Sequence, residues 1–197
     1  MKLAAVVLAA GRSSRMGLNK LLLSVGGRKV LEHIVKQLEP IPTFVVTGNE
    51  ADEVAQLAQL NGAQTVYNPD YLKGMTSSFQ AGLSTLDNDV DAVFMVLGDT
   101  FGFKHELLDR MIKALKKNSE ALIVSPMYKG RRGHPVLFRR VLFNDFKNLK
   151  PGETLKTVID HHEDHHIYVE GNVWTVTDLD TREDYEKVRR LWSANCV

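Results

Sequence analysis

Only one cysteine, Cys196, stands in the 197 residues, so no disulfide can form within the chain. That excludes a disulfide-stapled scaffold and fits a reducing compartment. A dominant charge is missing as well: 25 Lys and Arg face 24 Asp and Glu. Without a bulk field, neither nucleic acid nor a membrane surface is an expected partner, and any basic cluster must act locally. No apolar run approaches the roughly 18 residues of a membrane span. Met1-Lys2 and the apolar run behind it imitate the start of a secretory signal. That run leads straight into Ala9-Ala10-Gly11, however, and a strand followed by a loop explains it better. The expected location is the cytoplasm. Two common phosphate-binding signatures are also missing. The stretch from Gly11 to Gly17 lacks the Gly-Lys-Ser/Thr ending of a P-loop, and no GxGxxG follows a strand. There is no internal repeat, low-complexity segment or linker, so residues 1–197 are expected to form one domain.

What is there is an ordinary globular composition, 44% apolar and 25% charged, with a regular alternation of patterns. Leu3 to Leu8 is a continuous apolar run, read as a strand buried on both faces. Val30, Leu31, Ile34, Val35 and Leu38 recur at helical spacing. Thr43–Thr47 is β-branched and aromatic, hence a strand. Asp52–Leu60 reads as a helix and Gln64–Tyr67 as a short strand. Phe79–Leu86 is expected to be a helix capped by the hydroxyls of Thr76, Ser77 and Ser78. Ala92–Leu97 is a second buried strand. Lys104–Lys117 is an amphipathic helix, and Ala121–Ser125 is a strand. Strands alternating with helices mark an α/β fold with a mostly parallel sheet. The last third is less regular. Arg131–Pro135 is expected to be a loop, with short strands at Val136–Phe138, Ile167–Val169 and Val173–Val176. Val141–Phe146, Thr154–Ile159 and Arg182–Trp192 read as helices.

The chemistry concentrates where the first strand ends. Small residues at Ala9, Ala10 and Gly11 let the backbone approach a ligand closely. Backbone N–H groups in that turn, with Arg12, Arg15 and Lys20, suit a polyanion such as a nucleoside triphosphate. Asp99 directly follows the second buried strand, at the edge where α/β sheets bind ligands. Asp178-Leu179-Asp180-Thr181, with Glu183 and Asp184, can cap the last helix. His162–His166 formally matches HExxH, but it lies between a helix and a strand, not inside an amphipathic helix, so a solvated connection is expected.

The string LAAGRSSRMG followed by Lys20 resembles the nucleotidyltransferase family that includes molybdenum cofactor cytidylyltransferase. That family's opening motif is LAAG, a variable residue, Ser, a variable residue, Arg-Met-Gly and a Lys. The resemblance continues through Gly74-Met75-Thr76-Ser77-Ser78 with Gly82, through Gly98-Asp99, Arg132-Gly133-His134-Pro135 and Asp178-Leu179-Asp180-Thr181. It implies a three-layer, Rossmann-like fold of the nucleotide-diphospho-sugar transferase type. The nucleotide-binding half would span about residues 1–125 and the acceptor side about 126–180. It also implies transfer of a nucleotide monophosphate from an NTP to a phosphorylated acceptor, releasing pyrophosphate.

On that resemblance Leu8, Ala9, Ala10, Gly11, Arg12 and Ser13 meet the nucleotide, with Gly74, Ser77, Ser78 and Gly82 against the base. Arg15 offsets the β- and γ-phosphates, Lys20 the α-phosphate, and Asp99 completes the catalytic set. Asp99, Asp180 and then Asp178 hold Mg2+, with Mn2+ as an alternative. Arg132 and His134 meet the acceptor, with the choice among Arg131, Arg132 and His134 for the inward-pointing group left open by the sequence. Ala10, where guanylyl members carry glycine, favours CTP. The implied acceptor is of the molybdopterin type. Thr100-Phe101-Gly102 departs from the family's proline-containing form, which keeps a sugar-phosphate or other small phosphate acceptor open. A reading of a different class is a nucleotide-binding assembly factor with a molybdoenzyme as its partner.

Overall fold

The structure is a computed structural model that describes residues 1–11, 16–150 and 152–195. The expectations for Arg12, Ser13 and Arg15 therefore lie outside the described residues. In chain order the elements are β1 (Leu3–Leu8), β2 (Ser24–Val25), β3 (Arg28–Lys29), α1 (Val30–Leu38), β4 (Thr43–Thr47), α2 (Ala51–Leu60) and β5 (Gln64–Tyr67). Then come α3 (Met75–Ser84), β6 (Ala92–Leu97), α4 (His105–Lys117), β7 (Ile123–Tyr128), β8 (Arg131–Arg132) and β9 (Val136–Arg139). The chain ends with α5 (Phe143–Lys147), α6 (Leu155–His161), β10 (His166–Glu170) and α7 (Arg182–Asn195).

Among the described residues the main sheet runs β10-β7-β9-β6-β1-β4-β5, with β8 paired to β7. β1 is parallel to both β4 and β6, and β4 is parallel to β5. β9 is the exception, antiparallel to β6 and β7. Alternation along β1 feeds two cores. Ala5 and Val7 pack on one face with α1 and α4, through residues such as Ile34 and Leu108. Ala4, Val6 and Leu8 pack on the other, with Phe79, Phe146 and Val158. Period-2 side chains buried on both faces explain the continuous apolar run. Helices on both faces give the expected three layers.

The strand order reverses at β1, whose neighbours are β4 on one side and β6 on the other. Open α/β sheets bind ligands at such a switch point, beyond the strands' carboxyl ends. Here those ends are Ala9–Gly11 and Gly98–Asp99.

Three local expectations need correction. Val173–Val176 is a 3-10 turn, not a strand. Asn172 Oδ1 accepts the Trp174 N–H and the Asn172 carbonyl accepts that of Thr175, so a polar cap overrides the β-branched pattern. The helix expected at Phe79 begins at Met75, with Gly74 (φ 98°) as its N-cap. The hydroxyls of Thr76–Ser78 thus lie inside its first turn instead of capping it. Arg131–Arg132 is a strand, hairpinned onto β7 through Lys129 and Gly130, both at positive φ.

Candidate functional site

A cleft of about 270 Å³ opens at the switch point. Leu8, Ala9, Ala10 and Gly11 line it from the end of β1, Leu97, Gly98 and Asp99 from the end of β6. Tyr71, Gly74, Met75 and Ser78 close one side, and Lys20 with Leu21 the other. Gly98 is required here. A Cβ on it would lie 2.9 Å from the Leu8 carbonyl oxygen, whereas its N–H donates to that oxygen at 3.1 Å. The tight approach brings Asp99 beside the β1 loop.

Lys20 opens a short 3-10 turn capped by buried Asn19, whose Oδ1 accepts the Leu21 N–H at 3.1 Å. The turn aims the lysine into the cleft. Its Nζ donates to Asp99 Oδ2 at 2.8 Å and to Asp180 Oδ1 at 3.0 Å. These residues are 79 and 160 positions apart in the chain. Burial pushes the Lys20 ammonium down, but the Asp99 and Asp180 carboxylates outweigh it and its pKa is raised. Asp180 reaches the site because Thr181, not Asp180, caps α7. Thr181 Oγ1 accepts the Asp184 N–H at 3.1 Å, and Asp184 Oδ2 accepts the Thr181 N–H at 2.9 Å. Asp184 is occupied by that cap, and Asp178 and Asp180 precede it.

The carboxylates fit a divalent cation. Asp99 Oδ1 is buried and has no hydrogen-bond partner among the described residues. Burial, and then the charges of Asp99 and Asp180, raise the pKa of Asp178. Among the described residues no three His, Cys, Asp or Glu groups converge as a ready-made metal centre. One or two carboxylates completed by substrate phosphates is, however, the usual way Mg2+ is held. Asp99 and Asp180, with Asp178 nearby, supply that kind of set.

The structure divides Arg131, Arg132 and His134, the three residues that sequence could not separate. Arg132 is turned away: its Nη1 and Nη2 donate to Glu163 Oε2 and Oε1 at 3.0 and 2.7 Å, and it lies over the Tyr168 ring. Arg131, its neighbour in β8, lines an adjoining cleft of about 390 Å³ with Asp178, Asp180 and Lys187. Successive strand residues point to opposite faces, so only one of the pair faces this cleft, and it is Arg131, not Arg132. Alternation in a short strand was the signal, hidden because this stretch reads as a loop.

His134 is half-buried, with Nδ1 shielded and unpartnered among the described residues. Burial pushes its imidazole from 6.5 down to about 4, against the pull of Asp99. It is neutral at pH 7 and can give a phosphate a hydrogen bond but no charge. The unfolded chain takes up this proton near its ordinary pKa and the folded chain only near the lower one. Stability therefore falls as pH drops through that window. The expected loss from this group between pH 7 and pH 5 is about 2 kcal/mol, read from urea midpoints. His134→Asn should flatten that slope; an unchanged slope would show that the group is not responsible.

Two further expectations change. Gly82 does not line the cleft. A Cβ there would meet Val6 Cγ1 at 2.4 Å and Val46 Cγ2 at 3.1 Å, so its role is to seat α3 on the sheet. Ser77 turns back on its own loop instead of lining the cleft, its Oγ 2.9 Å from the carbonyl oxygens of both Asp70 and Gly74. Tyr71, by contrast, was not singled out from sequence, and Met75 stood in the motif without a role; the turn that precedes α3 brings both to the cleft. The histidines of the HExxH string diverge: His162 pairs with Asp145 at 2.9 Å, and His166 Nε2 lies 2.8 Å from Ser125 Oγ.

Comparison with known proteins agrees with this fold. The model of the MobA-like NTP transferase domain matches residues 5–166. The molybdenum cofactor cytidylyltransferase of Escherichia coli strain K12 is 25% identical over 183 residues, covering 91% of this chain and 92% of that protein. The bifunctional protein GlmU of Koribacter versatilis is 28% identical over 131 residues, 62% of this chain, but only 27% of that protein's length is spanned. The solved structure of Rv0371C from Mycobacterium tuberculosis H37Rv in complex with manganese superposes with a TM-score of 0.76 at 25% identity, covering 96% of this chain and 99% of that one. The fold is that of the nucleotide-diphospho-sugar transferases. No helix among the described residues is long and apolar enough to cross a membrane. With a cleft at the β1/β6 switch point and a lysine set between two carboxylates, the chain belongs to the MobA-like NTP transferase domain family and is a nucleotidyltransferase.

Proposed function

We propose that the chain transfers CMP from CTP to a phosphorylated acceptor of the molybdopterin type, releasing pyrophosphate, with Mg2+ as the metal. The observation that carries this reading is Lys20 held by Asp99 and Asp180 at one end of a cleft whose other end is Ala9-Ala10-Gly11 with Ser78. An acceptor phosphate oxygen attacks the α-phosphorus, and the bond to the bridging oxygen breaks as pyrophosphate leaves. Charge crowding dominates such a step, so catalysis is positioning and electrostatic stabilisation. An ionised phosphate nucleophile needs no general base. Lys20 offsets charge on the α-phosphate, Arg15 on the β- and γ-phosphates, and the Ala10–Gly11 backbone cradles phosphate oxygens. Asp99 and Asp180, with Asp178, would hold the metal, which supplies further neutralisation of phosphate charge when bound. Arg131 and His134 would meet the acceptor. The similarity to the Escherichia coli molybdenum cofactor cytidylyltransferase along nearly the whole chain supports this choice of nucleotide and acceptor.

Base choice rests on Ala10. A Cβ on Gly48 would stand 2.5 Å from Tyr71 Cβ and 2.9 Å from Ala10 Cβ, so Ala10 and Tyr71 close on one bare backbone position. On this reading the Ala10 methyl limits the room for a purine at this end. Ala10→Gly should narrow the CTP-over-GTP preference in kcat/KM by about tenfold, the usual worth of one methyl-sized contact. An unchanged ratio would remove Ala10 from the account.

A second acceptor reading, a sugar phosphate or other small phosphate, is favoured by Thr100-Phe101-Gly102. Phe101 joins Trp174 and Trp192 in a ring cluster beside the Asp99 loop, at centroid distances of 6.1 and 5.8 Å. A panel of four NTPs with molybdopterin-type and sugar-phosphate acceptors, read by pyrophosphate release, separates the two. Release only with CTP and the molybdopterin-type acceptor is expected. Release only with a sugar phosphate would replace the acceptor, and release with none would overturn the reading.

A further inference from the structure

Asn68 follows β5 and is 3% exposed. Its Oδ1 accepts the Asp70 N–H at 3.0 Å, which fixes the orientation of its amide. Its Nδ2 therefore donates to Ser77 Oγ and to Ser78 Oγ, both at 3.1 Å. A primary amide carries two N–H bonds on that nitrogen, so both are committed. The two hydroxyls differ in where their own hydrogen goes. Ser77 donates to the carbonyls of Asp70 and Gly74. Ser78 is 4% exposed and lines the cleft, and among the described residues its one hydrogen bond is the one it accepts from Asn68. Among the described residues its hydrogen has no such acceptor, and the cleft is the open direction.

We infer that Asn68 is a positioning residue that, by occupying one lone pair of the Ser78 hydroxyl, turns its O–H into the cleft and so favours a nucleobase edge with a lone pair at that point. The inference rests on the reading above, in which this end of the cleft receives the base. Cytosine fits the requirement, because its O2 and N3 both accept. At the matching positions of the Watson–Crick edge guanine carries N1–H and N2–H beside its one acceptor, O6, and those groups would set donor against donor. Specificity then has two parts, the shape set by Ala10 and Tyr71 and a polarity set by Asn68. A wrongly matched polar group is rejected more strongly than a wrong size, since it leaves a buried group unpaired.

Asn68→Asp tests the polarity. It keeps the size and the acceptor for the Asp70 N–H but replaces the donor with an acceptor. Ser78 then donates back to the carboxylate and turns its lone pairs to the cleft. Purified full-length wild type, Asn68→Asp and Ser78→Ala are titrated by calorimetry with CTP, GTP and inorganic tripolyphosphate in the presence of Mg2+. Each variant should bind CTP about tenfold more weakly, the value of one hydrogen bond, with tripolyphosphate affinity unchanged. Asn68→Asp should also narrow the CTP-to-GTP ratio more than Ser78→Ala does, because only the former inverts the polarity. Equal losses for CTP and tripolyphosphate would give Asn68 a structural role only and overturn the inference; so would CTP binding that neither variant weakens. If Asn68→Asp does not fold, Asn68→Ala takes its place: it frees the Ser78 hydroxyl to rotate, and unaltered base selectivity there overturns the inference equally. A wild-type chain that binds tripolyphosphate but gains nothing from cytosine would instead overturn the base-binding reading, and the inference with it.

Discussion

Lys20→Ala lowers turnover by about two to three orders of magnitude, the usual effect of deleting a buried electrostatic stabiliser. The lysine side chain is 18% exposed and that of Asp99 19%, so their 2.8 Å pair is largely shielded from water. A charge in such a place interacts more strongly with a developing phosphate charge than it would at the surface. Removing the ammonium also leaves Asp99 and Asp180 facing the incoming triphosphate without it, so attraction is replaced by repulsion. The loss should fall mainly on kcat, because charge on the transferring phosphate grows during the step. Stopped-flow or steady-state pyrophosphate release at saturating CTP checks it. Lys20→Arg should not rescue fully, since a planar guanidinium does not replace a compact ammonium set between two carboxylates. Turnover within threefold of wild type would remove Lys20 from the mechanism.

Asp99→Ala should cost a similar two to three orders of magnitude, about the worth of one preorganised charged group, but with a different signature. Asp99 supplies the buried Oδ1, which has no hydrogen-bond partner among the described residues, and a carboxylate on Lys20. On the proposed reading it is a metal ligand, so its loss should move the Mg2+ dependence as well as the rate. Asp99→Asn separates the two roles. It keeps the volume and a carbonyl oxygen but removes the charge. Turnover measured against Mg2+ concentration should need about tenfold more metal for half-maximal rate in Asp99→Asn, in line with a weakened ligand set. Lys20→Ala should leave that concentration much nearer the wild-type value. If Asp99→Asn lowers the rate with no change in metal demand, Asp99 acts on Lys20 alone.

These two variants also mark how far the sequence could be read. β1 and β6 were legible because strands buried on both faces leave unbroken apolar runs, and α1 and α4 because their apolar residues keep helical spacing. Gly11 and Asp99 were legible as the ends of those strands. The pairing of Lys20 with Asp99 and Asp180 was not, because contacts this distant in sequence depend on strand order. No periodicity encodes that order. The same limit hid the division between Arg131 and Arg132, which the pairing of β8 with β7 decides. It also hid Gly82, whose missing side chain serves Val6 and Val46 across the helix–sheet contact. Local chemistry misled in smaller ways. Asn172 caps a 3-10 turn where the β-branched residues after it suggest a strand, and Gly74 starts α3 a full turn before Phe79, its first buried apolar residue. The double hydrogen bond from Asn68 was invisible for a related reason. A lone Asn before Pro69 reads as a turn residue, and only the folded chain shows its amide held between two hydroxyls.

The central claim is that this cleft moves the α-phosphate of CTP to a phosphorylated acceptor. Its most direct test is a double-label experiment with the purified chain, Mg2+ and a molybdopterin-type acceptor. CTP labelled at the α-phosphorus should leave its label in the acceptor product, and CTP labelled at the γ-phosphorus should leave its label in pyrophosphate, both suppressed in Lys20→Ala. Label from the γ-phosphorus appearing as orthophosphate, or transfer undiminished in Lys20→Ala, would contradict it.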